Sequence, residues 1–296
     1  MNFDQAADII KNWKTSERRL PPDFDWSTRK EGYTLSGAVP LPVLMPLLDL
    51  AINTGYPLPD DYALWSQRIE RLDGGWFNVA LDKRIVKGDS ASTRVAHWAA
   101  EYGYPFPASF PFWDLKNARR RMVIEVFLGC KYLLPPDFYQ WRLRSEISGK
   151  TVAHMYLREL GRPMPAGFDQ WSLTNRVGST VAHEAVLVAY DLGNDAIGAL
   201  PPDRSIWLLE RRDRDTGEND GNTALHLRAA LGGSIPDIFT LEDWHLRNPR
   251  EKSVIDLARE NGQAQLVAQY EALKMRSEIE GMDRPVSRQR IVRGER

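Results

Sequence analysis

Of the 296 residues only one is cysteine, Cys130. A single thiol excludes an internal disulfide framework and cannot form a thiolate metal site alone, and it fits a reducing cytoplasm, the expected location. Cys130 flanks the apolar run Met122–Gly129, so it is expected to be buried and structural. Long apolar stretches are also missing. Nothing approaches the roughly 18 unbroken residues that span a bilayer, so no membrane partner is expected. The opening stretch, MNFDQAADIIKNWK, has early acids and no apolar core before a cleavage site, and does not read as a secretory signal. Charge of one sign is nearly balanced, at a formal net of -1. That argues against whole-protein attraction to nucleic acid or anionic membrane. Phosphate loops, nucleophile elbows, zinc-protease helices and paired cysteines are absent. Carboxylates are plentiful, but none is spaced so as to assign acid and base roles. No enzyme activity and no cofactor is expected.

Tryptophan is the conspicuous presence, with ten residues in the chain. The pattern Pro-x-x-Phe/Tyr-x-x-Trp begins at Pro59, Pro107, Pro135 and Pro165, ending on Trp65, Trp113, Trp141 and Trp171. Looser copies start at Pro21, Pro201 and Pro236. A second motif alternates with it: Thr151-Val-Ala-His154, Thr180-Val-Ala-His183, Thr223-Ala-Leu-His226, and Arg94-Val-Ala-His97 beside Thr93. Each is followed by a short apolar segment and a glycine, Gly161, Gly193, Gly232 and Gly103. Weaker copies place Asp49, Glu125 and Asp256 in the histidine slot.

Each residue type has a physical role in such a unit. Threonine caps a helix start by accepting from a free amide of the first turn. Glycine ends the helix because it tolerates the left-handed conformation. Proline fits the first turn of a following helix, and Phe and Trp three apart share one helical face. The expected unit is therefore helix–turn–helix–loop, with Trp113, Trp141 and Trp171 packing between units.

These motifs resemble the ankyrin repeat, whose signature is Thr-Pro-Leu-His, a small apolar residue and a later glycine. Asp220-Gly-Asn-Thr-Ala-Leu-His226, ending at Gly232, is the nearest match, and Ser253-Val-Ile-Asp-Leu-Ala258 resembles a terminal copy. The resemblance spans roughly residues 20 to 270. It is specific in the first helix and weak in the Trp-bearing half.

The resemblance implies an all-α, elongated α-solenoid of about seven degenerate helix-turn-helix repeats. Residues 1–19 are expected to form an N-terminal capping helix, with Phe3, Ala6, Ala7, Ile10 and Trp13 at helical spacing. Residues 20–275 form the array, with irregular insertions near 66–92 and 210–220. Residues 276–296, which include Arg284, Arg288, Arg290, Arg293 and Arg296, read as a basic, disordered tail.

The implied function is that of a scaffold binding another protein through loop tips and the concave face. By analogy with arrays borne by bacteria or phage, this extends to an effector or an antagonist of a host factor. The expected partner contacts are Arg211, Arg212, Asp213, Arg214 and Asp215 in the second insertion, and the run Arg119, Arg120, Arg121. The alternative is nucleic-acid binding through Arg119–Arg121 and the Arg-rich tail.

The histidines are expected to bond backbone rather than a metal. Stacked equivalents lie about 8–10 Å apart, whereas ligands sharing one zinc must each reach it at about 2.0–2.1 Å.

Overall fold

Each of the four histidine motifs opens a helix. The computed structural model describes residues 4–5, 29–30, 33–34, 65, 68–69, 93–117, 119–211 and 221–282. The chain divides into two compact units, Met1–Phe168 and Asp169–Arg296. Helices dominate the described residues. The first unit contains α1 (Val95–Glu101), α2 (Val123–Gly129) and α3 (Val152–Leu160). In it α2 packs between α1 and α3. The second contains α4 (Val181–Leu192), α5 (Arg204–Trp207), α6 (Ala224–Leu231), α7 (Leu241–Trp244), α8 (Val254–Glu260) and α9 (Ala264–Met282). There α6 packs against α4 and α8, and α8 against α9.

Strands among the described residues are two-residue pairs, β1 (Arg29–Lys30) with β2 (Tyr33–Thr34) and β3 (Arg68–Ile69) with β4 (Thr93–Arg94), both antiparallel. Isolated antiparallel bridges continue the series: Lys116 with Met122, Arg144 with Thr151, Thr174 with Thr180, Glu210 with Thr223, and Arg247 with Ser253. One rule covers the seven hairpins among the described residues. The first bridging residue lies three positions after a tryptophan, from Trp26 to Arg29 through Trp244 to Arg247. In the last six, the second is the residue that caps the next helix.

The segment leading into the hairpin also satisfies exposed amides at the starts of α2, α3 and α4, where the first turn has donors without intrahelical partners. In α2, Val123 N–H donates to Leu115 O and Ile124 N–H to Trp113 O. Val152 and Ala153 in α3, and Val181 and Ala182 in α4, repeat this with Leu143 and Trp141, and with Leu173 and Trp171.

The Pro-x-x-Phe-x-x-Trp segments correct the expected second helix. In three copies they form successive turns: Phe110 N–H bonds Pro107 O, Phe138 bonds Pro135, and Phe168 bonds Pro165. A second turn follows in each, with Leu115 bonding Phe112, Leu143 bonding Gln140, and Leu173 bonding Gln170. A spacing of three suits a helical face, but it also suits two turns closed from residue i to i+3. A seven-residue segment gains little from a costly helix nucleus, while the turns already aim both rings inward. In the two remaining described copies a single helical turn forms, α5 and α7, with Asp203 and Thr240 as side-chain caps.

Those rings make the core. Trp65, Trp113, Trp207 and Trp244 are among the largest fully buried side chains, and Trp141 and Trp171 are also buried. Four of these tryptophans meet the phenylalanine of the following copy edge-on. Trp65 lies 5.4 Å from Phe110, Trp113 5.7 Å from Phe138, Trp141 5.4 Å from Phe168, and Trp207 5.7 Å from Phe239. T-shaped pairs of this kind contribute about 0.5–1.5 kcal/mol beyond area burial. The packing expected of Trp113 and Trp141 is therefore observed, with a ring rather than a helix as the interlocking part.

Two expectations change at the edges. Cys130 is exposed, not buried, because it follows the last residue of α2, where the chain leaves the core. Partial burial and the nearby charge of Glu101 still push its thiol upward, away from the thiolate. The final helix α9 continues through Met282, so residues 276–282, expected in a disordered tail, are helical. The tract Arg276-Ser-Glu-Ile-Glu has no helix breaker before Gly281, and α8 and α7 anchor its first half. Residues 283–296, and the expected capping helix apart from helical Asp4 and Gln5, lie outside the described residues.

Candidate interaction surface

The repeated histidine sits three residues after the helix cap and is buried in every copy. Thr151 Oγ, Thr180 Oγ and Thr223 Oγ lie 2.7, 2.6 and 2.8 Å from the Nδ1 atoms of His154, His183 and His226. The opposite ring nitrogen reaches a backbone carbonyl of the following hairpin region. His97 Nε2 is 2.8 Å from Arg121 O, His183 Nε2 2.8 Å from Asn222 O, and His226 Nε2 3.0 Å from Leu246 O. A carbonyl only accepts, so Nε2 carries the hydrogen and Nδ1 accepts from the threonine hydroxyl. His183 and His226 are thus neutral struts between their own caps and the next hairpin, while His97 reaches the next hairpin alone, its Nδ1 buried without a hydrogen-bond partner. Burial accounts for the preference for neutrality: it lowers His97 to about 4, helped by Arg94 and Arg121, and lowers His226 as well.

Carboxylates fill the slot elsewhere, as expected for Glu125 and Asp256. Glu125 Oε2 accepts from Met122 N–H at 3.0 Å, and Asp256 Oδ2 accepts from the Ser253 amide and hydroxyl at 3.1 and 2.6 Å. The Ser253 bonds hold Asp256 below the usual carboxylate range. Asp49 lies outside the described residues. Asp243 does the same work at the start of α7. Burial would raise it, yet Arg204 and the Thr240 amide and hydroxyl outweigh that and lower it. Arg204 Nε lies 2.9 and 3.0 Å from its two oxygens. His183, His226, Asp243 and Asp256 are engaged in these bonds, while His97 Nδ1 and Glu125 Oε1 are buried without a hydrogen-bond partner. Among the described residues no group of three or more His, Cys, Asp or Glu is arranged to hold a metal ion.

Hairpin tips are what this framework leaves exposed. Two slots shape them. The base carries Asn117, Ser145, Asn175 or Asn248, whose side-chain oxygen accepts tip amides at 3.0–3.1 Å. Two residues before the cap the backbone turns left-handed: Arg120 (φ 59), Gly149 (φ 66), Gly178 (φ 74), Gly221 (φ 51) and Glu251 (φ 57). Nothing in the repeat reading had singled out this slot, although Gly149, Gly178 and Gly221 at a fixed distance before Thr were its visible signal.

Arg119, Arg120 and Arg121 form the exposed tip between Lys116 and Met122. The neighbouring hairpin, Arg144 to Thr151, stands against it through an ion pair from Lys116 to Glu146. Lys116 and Arg120 together hold the Glu146 carboxyl below its ordinary value. Sequence reasoning missed Lys116, Glu146 and the exposed Ile147 (57% accessible) because their proximity arises only from pairing the two hairpins. Among the expected contacts of the second insertion, Arg211 is half-buried, and its N–H donates to Asn222 O at 3.0 Å. Arg212, Asp213, Arg214 and Asp215 lie outside the described residues.

Both irregular insertions nevertheless enter and leave through hairpins. The Arg68–Arg94 and Ile69–Thr93 pairs bracket residues 70–92, and the Glu210–Thr223 bridge brackets residues 212–220.

The folded class is a helix-dominated chain with hairpin-linked helices. No described helix is long and apolar enough to cross a membrane. Neither the models of known protein families nor the curated proteins contain a match to this chain.

Proposed function

We propose that the chain is a non-enzymatic scaffold that binds another protein through hairpin tips and the concave face of an elongated α-solenoid. The solenoid has about seven degenerate ankyrin-like units. Its unit is one Thr-x-x-His helix, a Pro-x-x-Phe-x-x-Trp double turn and a hairpin. Support comes from one observation above the others. Residues of the types that suggest chemistry, His183, His226, Asp243 and Asp256 among them, are occupied in caps and bonds to the next hairpin, while the hairpins vary in length and sequence from copy to copy. Variation on a constant frame is how repeat arrays acquire partners, and insertions gathered on one face are a feature of such arrays. An effector or host-factor antagonist fits this description, because a broad surface without fixed chemistry suits the blocking of another protein.

Affinity capture from the source cells, read by mass spectrometry, tests the reading. A protein should be enriched by the full chain and lost when residues 211–219 are replaced by a short Gly-Ser turn that leaves the melting temperature intact. Enrichment of nucleic acid alone, abolished by added salt and by removal of residues 283–296, would establish the alternative instead.

A further inference from the structure

The hairpins before α2 and α3 differ from a generic solvated edge. Between Lys116 and Met122, and between Arg144 and Thr151, six side chains are basic: Lys116, Arg119, Arg120, Arg121, Arg144 and Lys150. One, Glu146, is acidic, and it is already engaged by Lys116. The chain as a whole has a formal charge of -1, so this basic concentration is local. The frame is also rigid. Arg121 O receives the buried His97 ring, and Asn117 Oδ1 holds the Arg119 and Arg121 amides at 3.0 and 3.1 Å. The tip is thus preorganised, which reduces the ordering cost of binding.

We propose that this pair of hairpins is a docking surface for an acidic, apolar-anchored protein segment, an inference that rests on the protein-binding reading above. Charge complementarity selects the acidic partner. The Lys116–Glu146 pair places the hairpins side by side, within the roughly 10 Å over which charges act together at moderate salt. Ile147 selects a protein over a nucleic acid. It stands at the tip of the second hairpin with 57% of its surface accessible, and neither hairpin carries an aromatic ring. Single-stranded nucleic acid is held by base stacking on aromatic platforms as well as by charge. An exposed branched aliphatic beside a cationic tip instead matches a peptide that interleaves Asp or Glu with Leu.

The test uses the full chain and a short fluorescein-labelled peptide of repeating Asp-Glu-Leu. A Ser-for-Leu peptide and an oligothymidine of equal charge serve as comparison probes. Fluorescence anisotropy should show the Leu peptide binding several-fold more tightly than either comparison. Combining Arg119→Glu with Arg120→Glu should weaken it at least tenfold at about 0.1 M salt, a loss that shrinks as salt screens the charges. Ile147→Ser should abolish the preference for the Leu peptide while leaving the salt dependence unchanged. Both sets of side chains are exposed, so each variant should keep the helical circular-dichroism signal of the parent. Absence of Leu-peptide binding, equal or tighter binding of oligothymidine, or indifference to the charge reversals overturns the proposal. If a cellular protein is captured and keeps its affinity for the charge-reversed chain, this surface is wrong while the scaffold reading stands. If no protein is captured at all, the scaffold reading itself fails.

Discussion

His97 makes the chain sensitive to acid in a window where ordinary carboxylates are silent. Its ring is fully buried and is held at about 4 against an ordinary value of 6.5. The folded chain therefore resists a proton that the unfolded chain accepts. Stability contributed by the neutral ring is complete above about pH 6.5 and falls as the pH drops toward 4, by about 1.4 kcal/mol per unit. Moving from about pH 7 to about pH 5 removes about 2 kcal/mol through this residue alone. His226 shifts in the same direction and adds to the slope.

Asp243 and Asp256 are held below 3.8, so their losses belong to lower pH. The perturbation that isolates the effect is His97→Gln, which cannot titrate but keeps an amide able to donate to Arg121 O. Urea unfolding followed by tryptophan fluorescence, at several pH values between about 5 and 7, measures the two slopes. The variant should lose less on acidification than the parent by about 2 kcal/mol. Parallel pH profiles would show that His97 is protonated in the folded chain, and the strut would then be misassigned.

Other consequences follow from particular contacts. Arg120→Gly and Glu251→Gly each relieve a left-handed backbone at an exposed tip, and each should stabilise by about 0.5–1 kcal/mol in the same urea assay. His183→Ala removes the strut from Asn222 O and should cost about 1–3 kcal/mol while leaving partner capture intact in the folded fraction. Trp113→Ala empties the space between four phenylalanine rings and should cost about 3–5 kcal/mol in denaturation. Gly233→Ala should destabilise by about 1–3 kcal/mol, because an added Cβ would lie 2.2 Å from the buried Arg228 guanidinium.

The parts of the fold that depend on neighbours in sequence were legible, and those that depend on pairing across turns were not. Thr180 and His183 announce a helix start because cap, first turn and apolar face lie within a few residues of one another. The burial of Trp141 and Trp171 followed from their recurrence. The same recurrence misled in the Pro-to-Trp segment, since a Phe/Trp spacing of three suits both a helix and a double turn. The bridge three residues after each of seven tryptophans escaped notice because a two-residue pairing leaves no hydrophobic alternation to read. At Arg120 and Glu251 the left-handed slot is occupied by non-glycine residues, which hides it. For the candidate surface, Arg119–Arg121 stood out as a run, while Lys116, Glu146 and Ile147 gained meaning only when two hairpins came together.

The central claim is that one unit is repeated and held mainly by its nearest neighbours, so that a local defect stays local. Native-state hydrogen exchange on Trp244→Ala tests it most directly. Trp244 contacts Tyr270 at 5.8 Å, and α7 packs on α8 and α9. Exchange should quicken across residues 241–282 while helix α4, Val181–Leu192 in the same unit, keeps the protection of the parent. Equal loss of protection in α4 would mark a single cooperative core and contradict the repeat-array account.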